Sequence, residues 1–160
     1  MPQADSSPRR SAGILLHRDA GGGIEVLLVH PGGPFWARRD AGVWSIPKGE
    51  YSDGEDPLDA ARREFAEELG SRAPDGDPAD LGEIRQKSGK VVHGWALAGD
   101  LDPVTIQSNT FTVEWPPRSG RMTEFPEVDR AEWFGLERAR EKINPAQAAF
   151  LDRLAEAATG

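Results

Sequence analysis

Glu64, Glu67 and Glu68 are the residues whose spacing first suggests chemistry. They fall at i, i+3 and i+4 within residues 56–69. The apolar residues of that segment, Leu58, Ala61, Phe65 and Leu69, recur every three or four positions and predict a helix with one apolar face. On such a helix the three carboxylates share one patch, where like charges repel by roughly 0.3 kcal/mol per pair. They also occupy the last turn, where the helix dipole disfavours negative charge. Arg63, four residues before Glu67, offsets only part of this. Local stability would choose lysine at these positions, so the arrangement points to a cation arriving from outside. Ligands that offer only oxygen suit a hard ion, Mg²⁺ or Mn²⁺, that keeps some water and bridges to phosphate. A solvated acidic helix face, in a chain with 27 acids, is the alternative reading of the same residues.

The elements around this helix must hold it in place. Asp56 suits its N-cap, Pro57 its first position and Gly70 its end. Upstream, residues 11–17 and 24–30 are apolar runs of strand length on either side of a glycine turn at 19–23, and 43–46 is a short strand stopped by Pro47. Residues 35–39 form a loop with two aromatics and two arginines, and 48–53 is turn-like. Downstream, 81–86, 91–97 and 110–115 read as strands, 132–134 as a short strand, and 137–142 and 145–158 as helices. Strands interspersed with few helices suggest a mixed sheet with helices packed on it, an α+β or α/β fold. Residues 1–10 read as a loose leader and 11–158 as a single domain, the scale that 160 residues allow.

Composition narrows the classes of function. Lys plus Arg is 19 against 27 for Asp plus Glu, a net charge of −8 that argues against a generic nucleic-acid or anionic-membrane binder, since either would need a basic patch. There is no cysteine, which excludes disulfide scaffolds, Cys-ligated zinc, iron–sulfur clusters and thiol nucleophiles. Three scattered histidines, His17, His30 and His93, do not make a zinc site. No apolar run approaches the roughly 20 residues of a membrane span and no signal-peptide core is visible, so the expected address is the cytoplasm.

From Gly49, five residues lead to Glu55 and seven more to Arg63-Glu64-Phe65-Ala66-Glu67-Glu68-Leu69-Gly70-Ser71. This run resembles the Nudix box, and Gly49, Glu55, Arg63, Glu64, Glu67, Glu68 and Gly70 all match its fixed positions. With residue frequencies of about one in fifteen, seven chance matches come to roughly 10⁻⁸ per window. Ser71 departs from the pattern, which has an aliphatic packing residue there. Outside the box, residues 29–36 and 115–120 look like a bacterial subgroup known only as predicted nucleotide pyrophosphohydrolases.

The resemblance implies an αβα sandwich with the box at 49–71. It also implies a divalent-metal-dependent hydrolase that cleaves a pyrophosphate bond in a nucleoside polyphosphate, or in a nucleoside diphosphate linked to another group. Glu64, Glu67 and Glu68 would ligate Mg²⁺, or Mn²⁺ as a substitute, with the main-chain carbonyl of Gly49. Glu55 and Arg63 would pair and hold the loop to the helix. Glu64 is one candidate base; Glu127, outside the box, is another, with a surface turn as its other reading. Lys48, Arg38 and Arg118 are candidate phosphate contacts, and Trp36 is a candidate base-stacking side chain. The form Pro47-Lys48-Gly49 resembles family members that act on longer polyphosphates. The partner implied is a small nucleotide, with no membrane and no duplex nucleic acid; a homodimer is left open. A Nudix-fold nucleotide-binding or sensing module without turnover is the alternative.

Overall fold

The structure is a computed structural model, and it describes residues 9–159. Strands β1 (Arg10–Asp19) and β2 (Ile24–Pro31) form its centre. Their side chains alternate between two cores. Leu15, Val26 and Leu28 face one, while Ala12, Ile14, Leu16, Leu27 and Val29 face the other. A strand covered on both faces reads as a continuous apolar run, and so these two are easily recognised. Of the leader expected at 1–10, residues 1–8 lie outside the described residues. Arg10 already belongs to β1, and Arg9 accepts a hydrogen bond from the Val91 amide.

The remaining elements are β3 (Lys48–Glu50), α1 (Pro57–Leu69), β4 (Ala79–Arg85), β5 (Val91–Ala98), β6 (Thr110–Glu114), β7 (Met122–Pro126), β8 (Val128–Gly135), α2 (Leu136–Lys142) and α3 (Ala148–Thr159). The main sheet runs β4-β5-β1-β2-β8, with β3 also on β1. β1 and β5 are parallel and the other pairs antiparallel, so the sheet is mixed. Ala60, Ala61, Phe65 and Leu69 of α1 cover one face. Ala139 of α2 and Phe150, Leu151 and Leu154 of α3 cover the other. The result is the expected αβα sandwich.

What positions the site is a splay between the two central strands. β1 pairs with β2 only from His17 to Asp19, and its Ser11–Gly13 end pairs with β3 instead. The chain between 44 and 50 fills the wedge. Ser45 bonds both ways with Val29, and the Pro47 carbonyl accepts from the Ile14 amide. This corrects two expectations. Residues 43–46 make isolated bridges rather than a strand, and Lys48–Glu50, expected as a turn, is the strand. Its polar residues gave no apolar signal; it is a strand because β2 leaves that edge of β1 free. Two more strands went unread at full length. β7 has one half-buried face without an apolar run, and β8 begins at Val128, well before residues 132–134. The last helix starts later than expected: residues 145–147 form a 3₁₀ turn capped by Asn144, and α3 begins at Ala148.

Candidate active site

α1 carries the acidic patch, and local chemistry fixes both of its ends. The Asp56 carboxylate accepts from the Asp59 amide at 3.1 Å, and Pro57 opens the first turn. Gly70 ends the helix with φ 78°, a left-handed value that only glycine adopts without strain. The neighbouring 107–109 segment then satisfies two of the last carbonyls: Gln107 N–H donates to Leu69 and Asn109 N–H to Glu67. The helix end is therefore anchored by main chain, which explains why the exposed Ser71 can replace an aliphatic residue.

The Arg63 guanidinium organises the carboxylates. It grips Glu55 with two bonds, Nε to Oε2 at 2.9 Å and Nη2 to Oε1 at 3.0 Å. Its Nη1 donates to Glu64 at 2.8 Å and to Glu67 at 3.3 Å, and Nη2 reaches the Glu50 carbonyl at 3.5 Å. These bonds, Glu55 foremost, hold Arg63 firmly charged, and the pairing pulls the Glu55 carboxyl below its usual range. The expected Glu55–Arg63 clamp is present and ties the loop before α1 to the helix.

Glu64 and Glu68 lie deeper. Glu64 is 8% exposed, and burial raises its pKa, helped by the charges of Glu67 and Glu127 and opposed by Arg63. Burial pushes Glu68 up to about 8, against the pull of Lys48. The Lys48 amide donates to Glu68 at 3.3 Å. Burial, with Lys90 second, depresses the Lys48 ammonium itself. Gly49 has no room for a side chain: a methyl there would stand 2.0 Å from the Glu64 carboxyl. Glycine thus lets the main chain of β3 and the Glu64 carboxylate come together.

Glu127 is exposed, and its charge reaches both Glu64 and Glu68. Main-chain bonds fix it. Its N–H donates to the Asn109 carbonyl at 2.8 Å, and its carbonyl accepts from the Gly32 amide at 2.9 Å. Because Asn109 also bonds Glu67, a short relay of peptide groups ties Glu127 to the end of α1.

Of the other expected contacts, Trp36 and Arg38 sit on the 33–39 loop and Arg118 at the tip of the β6–β7 hairpin. Phe35 packs edge-on against Trp115 at 5.6 Å and joins loop to hairpin. Trp44 and Trp95 are buried, and Trp95 stacks on His93 at 3.9 Å. Sequence reasoning missed Gln147, which is fully buried. Its Oε1 accepts from the Ile46 amide at 3.0 Å and its Nε2 donates to Ser45 at 3.0 Å, so the 3₁₀ turn before α3 holds the segment that leads into Lys48 and Gly49. No spacing in the sequence signals a contact between residues a hundred positions apart.

The donors fit a hard divalent cation by type: carboxylates, two of them short of water, beside a glycine cradle that any side chain would fill. They are arranged around Arg63. Among the described residues no three acidic or histidine side chains converge on one point.

A NUDIX domain family model matches residues 7–154. The chain belongs to the Nudix family. Members of this family generally use a divalent metal, usually Mg²⁺. An octanoyltransferase of Myxococcus xanthus is 30% identical to this Nudix domain over 138 residues, 85% of this chain and 33% of that protein. An RNA pyrophosphohydrolase of Bartonella henselae is 38% identical over 69 residues, 41% of this chain and 37% of that protein. The chain spans about a third of the length of these curated relatives. The Ap4A hydrolase of C. elegans, solved as a binary complex, has the same fold. It superposes with a TM-score of 0.66 at 24% identity, covering 95% of this chain and 98% of that one. No helix among the described residues is long and apolar enough to cross a membrane.

Proposed function

We propose that this Nudix domain hydrolyses a phosphoanhydride bond in a nucleoside polyphosphate, or in a nucleoside diphosphate linked to another group. Glu64, Glu67, Glu68 and the main-chain carbonyl of Gly49 would hold Mg²⁺. The observation that carries the proposal is the pair of water-poor carboxylates against β3, Glu64 at Gly49 and Glu68 at the Lys48 amide. Burial and mutual repulsion raise Glu64 and Glu68, and Arg63 alone does not neutralise the group. Kinship with an RNA pyrophosphohydrolase and the fold of an Ap4A hydrolase support a polyphosphate substrate.

Bound there, the ion would neutralise the diphosphate oxygens and acidify an attacking water. The chain's own residues do the rest. Glu127, tethered through its peptide groups beside Glu64 and Glu68, takes the proton of the water that attacks phosphorus. The bridging phosphorus–oxygen bond breaks, and the bridging oxygen leaves with the departing phosphate. Lys48 supplies positive charge to the substrate phosphates. Arg63, clamped on Glu55, keeps the loop and helix in register, so that Gly49 and Glu64 stay in contact.

The test compares the wild type with a Glu67→Gln, Glu68→Gln double variant in Mg²⁺. The substrates are nucleoside triphosphates, diadenosine polyphosphates, ADP-ribose and 5′-triphosphorylated RNA, with products separated by chromatography. The expected result is turnover of one class, reduced at least about a hundred-fold in the double variant. Undiminished turnover in the variant would refute the assignment. Ligand-induced thermal stabilisation of a wild type that turns nothing over would establish a binding module instead.

A further inference from the structure

We infer that the 33–39 loop and the β6–β7 hairpin form a wall that binds a single-stranded nucleic acid, with its 5′ polyphosphate entering at the carboxylates; the placement of that end rests on the hydrolase reading of the site. Phe35 is 59% and Trp36 39% exposed on a chain whose other aromatic side chains are buried or half-buried. Phe35 meets Trp115, and Gly33 lies so close to Phe111 that a methyl would stand 2.7 Å from its ring. Phe111 faces Phe125 across the hairpin at 6.2 Å. Loop and hairpin therefore share one aromatic face.

Arginines flank that face. Arg38, Arg39, Arg118 and Arg121 are all exposed, and none makes an ion pair among the described residues. Arg39 lies over Trp36, 5.7 Å from the ring centre. Arg121 pairs across the hairpin with Trp115 and so shares its face, whereas Glu114 and Glu124 belong to the opposite face. Arg118 keeps its side chain at φ 61°, a left-handed position that glycine or asparagine would occupy with less strain. On a chain of net charge −8, unpaired arginines beside exposed aromatics mark an anionic ligand with flat rings.

The dimensions favour a strand over a single nucleotide. Each hairpin strand has five residues and so runs about 17 Å, a length that several stacked nucleotides fill and one does not. The wall starts where Glu127 bonds Gly32 and Asn109, beside the carboxylates, so the 5′ end falls in the site. A duplex would need a broad basic surface, and this chain is acidic overall. A second copy seated on the patch would bring like arginines together.

Fluorescence anisotropy tests the wall without turnover. The probes are short single-stranded RNAs labelled at the 3′ end, one with a 5′-triphosphate and one with a 5′-hydroxyl. The proteins are the wild type, Arg118→Ala/Arg121→Ala and Trp36→Ala. Both probes are expected to bind the wild type. Trp36→Ala should weaken binding about ten-fold, as expected for the loss of one base–aromatic stack. The double arginine variant should flatten the slope of log Kd against log salt by about 1.4, two phosphate contacts at about 0.7 each. Unchanged affinity and slope in the variants would overturn the inference. So would failure of the wild type to bind either strand, or a dimer in sedimentation that Trp36→Ala dissociates. Strand binding without phosphate release in Mg²⁺ would sink only the hydrolase reading. Phosphate release from ATP without strand binding would sink only this one.

Discussion

Replacing Gly49 with alanine tests the most constrained contact of the site. Gly49 does not have a left-handed φ, so alanine suits the backbone and the substitution tests room alone. The added methyl would stand 2.0 Å from Cδ and Oε2 of Glu64, against 3.4 Å where ordinary contact begins, an overlap of 3.4 − 2.0 = 1.4 Å. Relief has two routes. Glu64 can swing away and lose its 2.8 Å bond to Arg63, or β3 can back off from its pairing with Ser11–Gly13. Overpacking of this kind costs about 1–3 kcal/mol. At about 3 °C per kcal/mol for a domain of this size, Tm should fall by roughly 3–9 °C. The assay is thermal unfolding of the wild type, Gly49→Ala, Glu64→Ala and the double variant, with and without Mg²⁺. With Glu64 cut to alanine the methyl meets no carboxylate, so most of the penalty should vanish and the coupling should be about 1 kcal/mol or more. An equal loss in both backgrounds would refute the idea that Glu64 is what requires glycine at 49. Gly49→Ala should also lose the stabilisation that Mg²⁺ gives the wild type.

Stability without metal should depend on pH with a definite sign. Burial raises the Glu68 pKa from 4.5 to about 8, so its contribution is complete below about pH 4.5 and is lost as pH rises through about 8. Glu64, also raised, adds to that loss, while Glu55 and Asp40, both lowered by their partners, remove stability on the acid side as pH falls through their depressed values. Tm measured in EDTA should therefore fall from pH 5 to pH 8, and Mg²⁺ should flatten the decline. Gly70→Ala combines a φ of 78° with a methyl 2.6 Å from the Gln107 carbonyl. It should lower stability by about 1–3 kcal/mol in urea unfolding and loosen hydrogen-exchange protection of the Asn109 amide. Gln147→Leu keeps the bulk and leaves the buried Ile46 amide without its acceptor. A loss of about 1–3 kcal/mol is expected, together with weaker Mg²⁺ stabilisation, because Gln147 holds the segment before Gly49.

The box helix was legible because its signals are local. Asp56, Pro57, the three-and-four spacing from Leu58 to Leu69, and Gly70 lie within one stretch of chain, and each has the predicted role. The pairing of Glu55 with Arg63 was legible through family likeness. β1 and β2 showed themselves as apolar runs because both faces are covered. The parts that stayed hidden depend on partners far away in sequence. Lys48–Glu50 is a strand only because β2 diverges from β1, and Met122–Pro126 only because β6 lies opposite it. Glu127 could be named as a candidate but not located, since the peptide groups of Gly32 and Asn109 set its position. Gln147 carried no signal at all.

The hairpin enters and leaves the domain through one clamped pair. Asn109 and Glu127 are bonded to each other, and Asn109 is bonded in turn to the end of α1. Whatever lies between them, from Thr110 to Pro126, hangs from that clasp like an interchangeable tool on a fixed handle. Since the clasp is made of peptide groups, side-chain replacement does not undo it. Evolution or an engineer can lengthen, shorten or exchange the seventeen residues between the two anchors and change what the domain grasps, while the acidic centre below keeps its shape.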